Sequence, residues 1–239
     1  MGIYRNLPTV SLSDNSNDAA EGRNSWYGER YVIPVGGGNW AFADEGSYFV
    51  ATNATLATGI AGHAAPVVAD TDTKALLHLY NSGDRNIVLD FVQLEVTAAG
   101  TAGTLHYSVV YVDSKGSTAR SSGGTAITPV NTNTEVNRTS GAEIYFGAVV
   151  TAMSGSRKVG QQLVREVIPV VQDQVLMKFG GSAHGVGSAL TTAGTATNNL
   201  IQYFPPVVIG PGGNLNISQI RPSQSAAASY QCQFGYWER

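Results

Sequence analysis

Tyr230–Gln231–Cys232–Gln233–Phe234–Gly235–Tyr236–Trp237 alternates bulky and polar residues along its length, the period of a strand with one face in a core. Tyr230, Cys232, Phe234 and Tyr236 face one way, and Ser229, Gln231, Gln233 and Gly235 face the other. A helix would scatter these rings around its axis, so the segment is a half-buried strand. Working outward from it, Asn214–Ser218 has the same period, and Leu200–Ile209 is interrupted at Pro205-Pro206, which suits a sheet edge or a bend.

Further strand signals recur toward the N-terminus with turn residues between them. They are Tyr31–Val35, Ser47–Thr52, Ala75–Tyr80, Ile87–Val96, Leu105–Val112, Ile144–Met153, Val167–Val171 and Val175–Phe179. Ile87–Val96 is apolar on both faces, with Ile87, Leu89 and Phe91 on one and Val88, Val92, Leu94 and Val96 on the other, as in a strand covered on each side. Across the loop that follows, it is expected to pair with Leu105–Val112 as a hairpin. Residues 117–143 and 180–199 read as long Ser/Thr/Gly-rich loops. Val159–Glu166 has length for two helical turns, but no long segment carries apolar residues at helical spacing. The expectation is an all-β fold, a single jelly-roll-like β-sandwich of about eight to ten strands. The domain spans residues 30–239, and residues 1–29 form an extended N-terminal arm.

Composition narrows the function. The 239 residues carry 14 Lys and Arg against 17 Asp and Glu, a net charge of −3. That is about half the usual charged fraction. A slightly acidic chain with scattered basic residues does not bind nucleic acid by neutralising phosphates. One cysteine, Cys232, excludes an internal disulfide and a Cys-rich zinc site. No apolar run reaches the length of a membrane-spanning helix, and Met1–Asp14 lacks the apolar centre of a signal peptide. Folding in a cytoplasm is expected, with no membrane partner.

No catalytic motif emerges. His63, His78, His106 and His184 are far apart, and none has a second ligand at metal-binding spacing. A site gathering His63, His106 and His184 in the fold is the one metal-enzyme arrangement to weigh. Asp44, Glu45, Asp70, Asp72 and Asp84 are loop carboxylates, and Asp70-Thr71-Asp72 supplies only a fragment of a calcium loop. Gly180–Ser188 is rich in glycine but lacks the Lys-Ser/Thr ending of a phosphate loop. No catalytic residue, metal or cofactor is expected.

Aromatic residues crowd the first fifty positions: Trp26, Tyr27, Trp40, Phe42, Tyr48 and Phe49. Planar rings serve as buried anchors at protein interfaces and as stacking platforms for sugars. With an arm bearing sparse apolar residues, the interface reading is preferred. Its candidate partner-binding residues are Tyr4, Leu7, Val10, Trp26, Tyr27 and Trp40.

Pro206–Ile217 (PVVIGPGGNLNI), Pro222–Ala226 (PSQSA) and Tyr230–Glu238 (YQCQFGYWE) together resemble jelly-roll virion proteins of tailed bacteriophages. In those proteins a PG-x-x-L turn precedes the penultimate strand, and an aromatic W-E strand closes the chain. The resemblance implies a non-enzymatic capsid decoration (cement) protein or head-fibre component, commonly a homotrimer, whose partners are the major capsid protein or other virion proteins. Arg5 and Arg23 in the arm, with Arg30 just after it, are offset by Asp14, Asp18, Glu21 and Glu29, which implies the outer surface of a virion shell rather than its genome-facing lining. A carbohydrate-binding module of an attachment fibre and a single-jelly-roll capsid protein are the alternatives.

Overall fold

Strands whose apolar faces cannot be buried alone must stack in two layers, and the chain does so. The computed structural model describes residues 42–53, 55, 58–63, 71–101, 106–113, 120–151, 153–165, 170–180, 200–220 and 225–239. All lie within one compact unit, Phe42–Arg239. After a helical turn at 42–44, the first strands are β1 (Tyr48–Thr52), β2 (Ile60–Ala61), β3 (Lys74–Asn81), β4 (Ile87–Ala98) and β5 (His106–Asp113). There follow β6 (Ser122–Ile127), β7 (Val130–Asn131), β8 (Ala142–Val150), β9 (Arg157–Arg165) and β10 (Gln174–Phe179). The last are β11 (Leu200–Phe204), β12 (Val208–Ile209), β13 (Asn214–Ile220) and β14 (Ser229–Glu238).

One sheet runs β11-β10-β4-β14-β1-β7, with β12 added against β4 and β2 against β14; the other runs β6-β8-β3-β13-β5-β9. Four antiparallel pairs are nested: β1 with β14, β3 with β13, β4 with β10 and β5 with β9. That is the pairing of one long hairpin. Rolling the hairpin up brings β14 against β4 and β13 against β5, which yields the two sheets of a jelly roll. The expected all-β sandwich is therefore present. Its strand number exceeds the expectation because β6, β8, β11 and three two-residue strands extend the eight of the roll.

Between the sheets lie Phe49, Leu77, Leu79, Phe146, Met177, Leu215, Ile217, Phe234 and Tyr236, all buried in one cluster. The face of β14 assigned from alternation is the one inside, and Tyr236 stacks with both Phe234 and Phe49 at ring separations of 5.1 and 5.8 Å. Burying side chains of this size stabilises the fold by about 1.5–3 kcal/mol each. Along one side the two sheets are tied together by amides: Gln202 Nε2 donates to Leu163 O at 3.4 Å, and Gln162 Nε2 donates to Tyr203 O.

Four expectations are corrected. Ile87–Val96 and Leu105–Val112 form no hairpin, because β4 and β5 lie in different sheets and the connection crosses the sandwich. The two apolar faces of β4 are really one. Its ladder with β14 slips between Gly235 and Tyr236, and the bulge shifts the alternation, so Ile87, Leu89, Val92, Leu94 and Val96 are all buried while Val88 and Phe91 are only partly so. Residues 117–143 are not all loop, since β6 and β7 lie within them. The two helical turns for which Val159–Glu166 has length do not form over residues 159–165, which belong to β9, where the edge of β5 offers backbone partners and Val164 enters the core. Of the expected strand Val167–Val171, residues 167–169 lie outside the described residues and Val171 sits in a turn. The arm, Tyr31–Val35, and residues 181–199 also lie outside them.

Candidate partner-contact face

Pleating places on the outside of the larger sheet every residue that alternates with the core. Cross-strand registers arrange them in rows. Tyr48, Trp237 and Val88 form one row. Val50, Gly235, Phe91, Lys178 and Tyr203 form the next. Thr52, Gln233, Gln93, Leu176 and Ile201 form a third, followed by Gln231, Glu95 and Gln174. Trp237, Phe91, Leu176, Ile201 and Tyr203 are all partly exposed.

The first two rows are the most organised. Phe42 lies flat on Trp237, with ring centroids 5.0 Å apart and planes inclined by 13°, and the Arg239 guanidinium sits 4.4 Å from the centre of the Phe42 ring. The bulge in β4 turns Asp90 outward, an established use of bulges. There its Oδ2 accepts from the Tyr48 hydroxyl at 2.7 Å, and Lys178 Nζ lies 3.4 Å from Oδ1. Lys178 also lies 5.3 Å from the centre of the Phe91 ring. Burial, then the bond to Asp90, pushes the Tyr48 phenol well above its ordinary pKa. Gly235 leaves the space that Phe91 and Tyr48 fill.

One end of β14 is anchored by Glu238, a buried carboxylate. Its Oε1 accepts from Ser140 Oγ at 2.6 Å and Gly141 N at 2.9 Å, and its Oε2 pairs with Arg138 Nη2 at 3.2 Å. This holds the segment before β8 against the strand that carries Trp237. In the third row, Gln93 and Gln233 stand opposite each other. The result is a nearly electroneutral face of rings and amides. Such a surface offers aromatic anchors with a polar surround, the chemistry of a protein contact.

The other groups raised by the sequence are placed as follows. Tyr4, Leu7, Val10, Trp26, Tyr27 and Trp40 lie outside the described residues, as do His184 and Asp70. Phe49 is no surface ring but part of the core. His63 Nε2 donates to Val149 O at 2.9 Å, and burial lowers its pKa. His106 Nε2 bonds the Gln219 amide oxygen, whose orientation is set by Gln219 Nε2 donating to Ser108 Oγ at 3.0 Å. Asp72 accepts from the Ser156 hydroxyl, while Asp44, Glu45 and Asp84 are exposed. Among the described residues, no group of three or more His, Cys, Asp or Glu is arranged to hold a metal ion. Cys232 is buried, and burial pushes its thiol far above the ordinary range.

Sequence reasoning passed over Trp237, Phe91, Asp90 and Lys178 as a group. A signal for Trp237 was present: alternation puts it on the Gly235 face, away from the core. Compared with known proteins, the chain matches no family model, no curated protein and no solved structure.

Proposed function

We propose that this chain is a non-enzymatic structural protein of the jelly-roll type, acting by protein–protein contact on the outer surface of a virion. Decoration of a tailed-phage head is the form the C-terminal resemblance favours. The observation that carries the reading is the outer face of the larger sheet, where partly exposed rings stand among amides with little net charge. A protein that is soluble alone and later buries ~1,000 Å² or more per contact needs such a surface. Low overall charge fits the same demand. A homotrimer is the assembly the reading expects, with the major capsid protein or another virion protein as its further partner.

The experiment is the absolute mass in solution by light scattering across a concentration series, repeated for Trp237→Ala. A species of three chain masses that weakens in the variant supports the reading. A wild-type monomer at every concentration removes its trimeric form. A second reading, glycan binding, is favoured by Gln93 and Gln233, which stand opposite each other on the outer face one row from Phe91. A glycan array without hits eliminates it.

A further inference from the structure

β6 is the outermost strand of the smaller sheet and has little to hold it there. Five of its six residues are exposed. Gly123 and Gly124 have φ of 72° and 73°, and the ladder to β8 slips between Gly123 and Thr125. Glycine loses the most chain freedom on ordering, and a bulge leaves backbone unpaired. Such a strand opens at the low end of the local-unfolding range. Ile127 anchors its far end in the core, and a side chain clamps its near end. Arg120, just before the strand, donates from Nη1 to Gly123 O at 2.6 Å and lies over the Tyr145 ring of β8, 4.0 Å from its centre.

Next to that ring is a histidine with one nitrogen unanswered. His78 on β3 is fully buried and stands in register with Tyr145 on one side and Asn216 on the other. The His78 and Tyr145 rings are stacked with centroids 6.5 Å apart. Asn216 Nδ2 donates to Asp72 O at 2.6 Å, so the Asn216 oxygen is the atom that faces His78. It accepts from Nδ1–H at 2.6 Å. Nε2 therefore carries the lone pair, and it has no hydrogen-bond partner among the described residues.

Among the described residues, four groups face this imidazole: Arg120 before β6, Glu143 and Tyr145 on β8, and Asn216 on β13. Burial is the largest influence and disfavours the cation. The bond to Asn216 works against burial, Arg120 disfavours the cation further, and the exposed Glu143 favours it. The net effect is to lower the His78 pKa from its ordinary value.

We propose that His78 is an acid trigger for this edge. A proton arriving at Nε2 places a second cation beside the Tyr145 ring that Arg120 already occupies, displaces the Arg120 clamp and frees β6 from β8. The freed edge leaves the outer N–H and C=O groups of β8 open to pairing with another chain. The sign follows from linkage. The open form binds the proton more readily, so the closed strand is favoured above about pH 6.5, the ordinary histidine pKa, and loses ground as pH falls below it.

Hydrogen–deuterium exchange of the whole chain between pH 7.5 and 5, corrected for the intrinsic pH dependence of exchange, tests this. Opening of the 120–127 segment should rise by up to about tenfold per pH unit below the histidine's ordinary pKa, the limit for one proton, while β3 and β13 stay protected. His78→Gln keeps a donor toward Asn216 but cannot titrate, and should abolish the rise. Arg120→Gln should open β6 at both pH values with no further acid response. Unchanged β6 exchange in the wild type, an acid response that survives His78→Gln, or simultaneous opening of all strands would each overturn the proposal. If His78→Gln does not fold, imidazole ¹⁵N shifts of the wild type decide: protonation of His78 alongside β6 opening supports the trigger, and a neutral His78 throughout the opening refutes it.

Discussion

Gly235→Ala adds one methyl group where two rings already converge. The new carbon would stand 2.3 Å from Phe91 Cε1, 2.8 Å from Phe91 Cδ1 and 2.7 Å from the Tyr48 hydroxyl, against 3.4–4 Å for ordinary contact. The Phe91 ring must retreat by more than an ångström, which strips it from Lys178, an interaction of about 0.5–1 kcal/mol at a partly exposed position. Tyr48 cannot move without lengthening its bond to Asp90, and a hydrogen bond to a charged acceptor contributes about 1.5–3 kcal/mol. Alanine returns about 0.5–1 kcal/mol through its lower entropy loss in a strand. The net expectation is destabilisation by about 1–3 kcal/mol, the usual range for overpacking. Urea unfolding followed by tryptophan fluorescence reads it. With a slope of about 2–3 kcal/mol/M, the midpoint should fall by roughly 0.3–1.5 M at constant slope. Combining the change with Phe91→Ala should recover about 1 kcal/mol relative to the sum of the single variants. A variant as stable as the wild type, or strictly additive costs, refutes the packing described for this face.

Further outcomes are expected. Cys232 should stay unreactive toward Ellman's reagent in the folded protein and react on unfolding, since only the thiolate attacks; rapid labelling of the native state would contradict its burial. Glu238→Ala leaves Ser140, the Gly141 N–H and Arg138 without their shared acceptor, at a cost of about 2 kcal/mol. It should lower the melting temperature by roughly 4–8 °C in a domain of this size, and an unchanged melt would show the network to be idle. His63 and His78 both have lowered pKa values in the fold, so the unfolded chain binds more protons. Stability should be fully present above about pH 6.5 and decline as pH falls below it; a flat urea midpoint between pH 7.5 and 5.5 would rule this out.

The fold was legible where one period persisted. Tyr230, Cys232, Phe234 and Tyr236 kept their alternation to the end of β14, and their burial followed. β4 was misread because one bulge changes phase midway, and a residue string carries the phase change without its cause. Its partner was misread for a different reason: a turn between adjacent strands looks the same whether it closes a hairpin or crosses to the opposite sheet. β6 was hidden by composition, because Ser-Gly-Gly-Thr gains its strand character from the β8 backbone rather than from its own side chains. The contact face suffered most. Phe91 and Lys178 are far apart in sequence, and only the register of β4 and β10 sets them side by side.

The nested pairing also fixes when the molecule can fold during its synthesis. β14 lies between β1 and β4, and β13 lies between β3 and β5, so the middle strand of each sheet is made after both of the strands it joins. While the ribosome is still producing residues 114–213, β1, β3, β4 and β5 have emerged with their inner neighbours missing. Each layer can close only when its own late strand arrives. Contacts this distant in sequence make for slow folding, and unpaired apolar edges in the meantime favour aggregation. A chain stopped before β13 would hold both layers open at their centres, so the length of the nascent chain, rather than any local segment, sets the moment of folding.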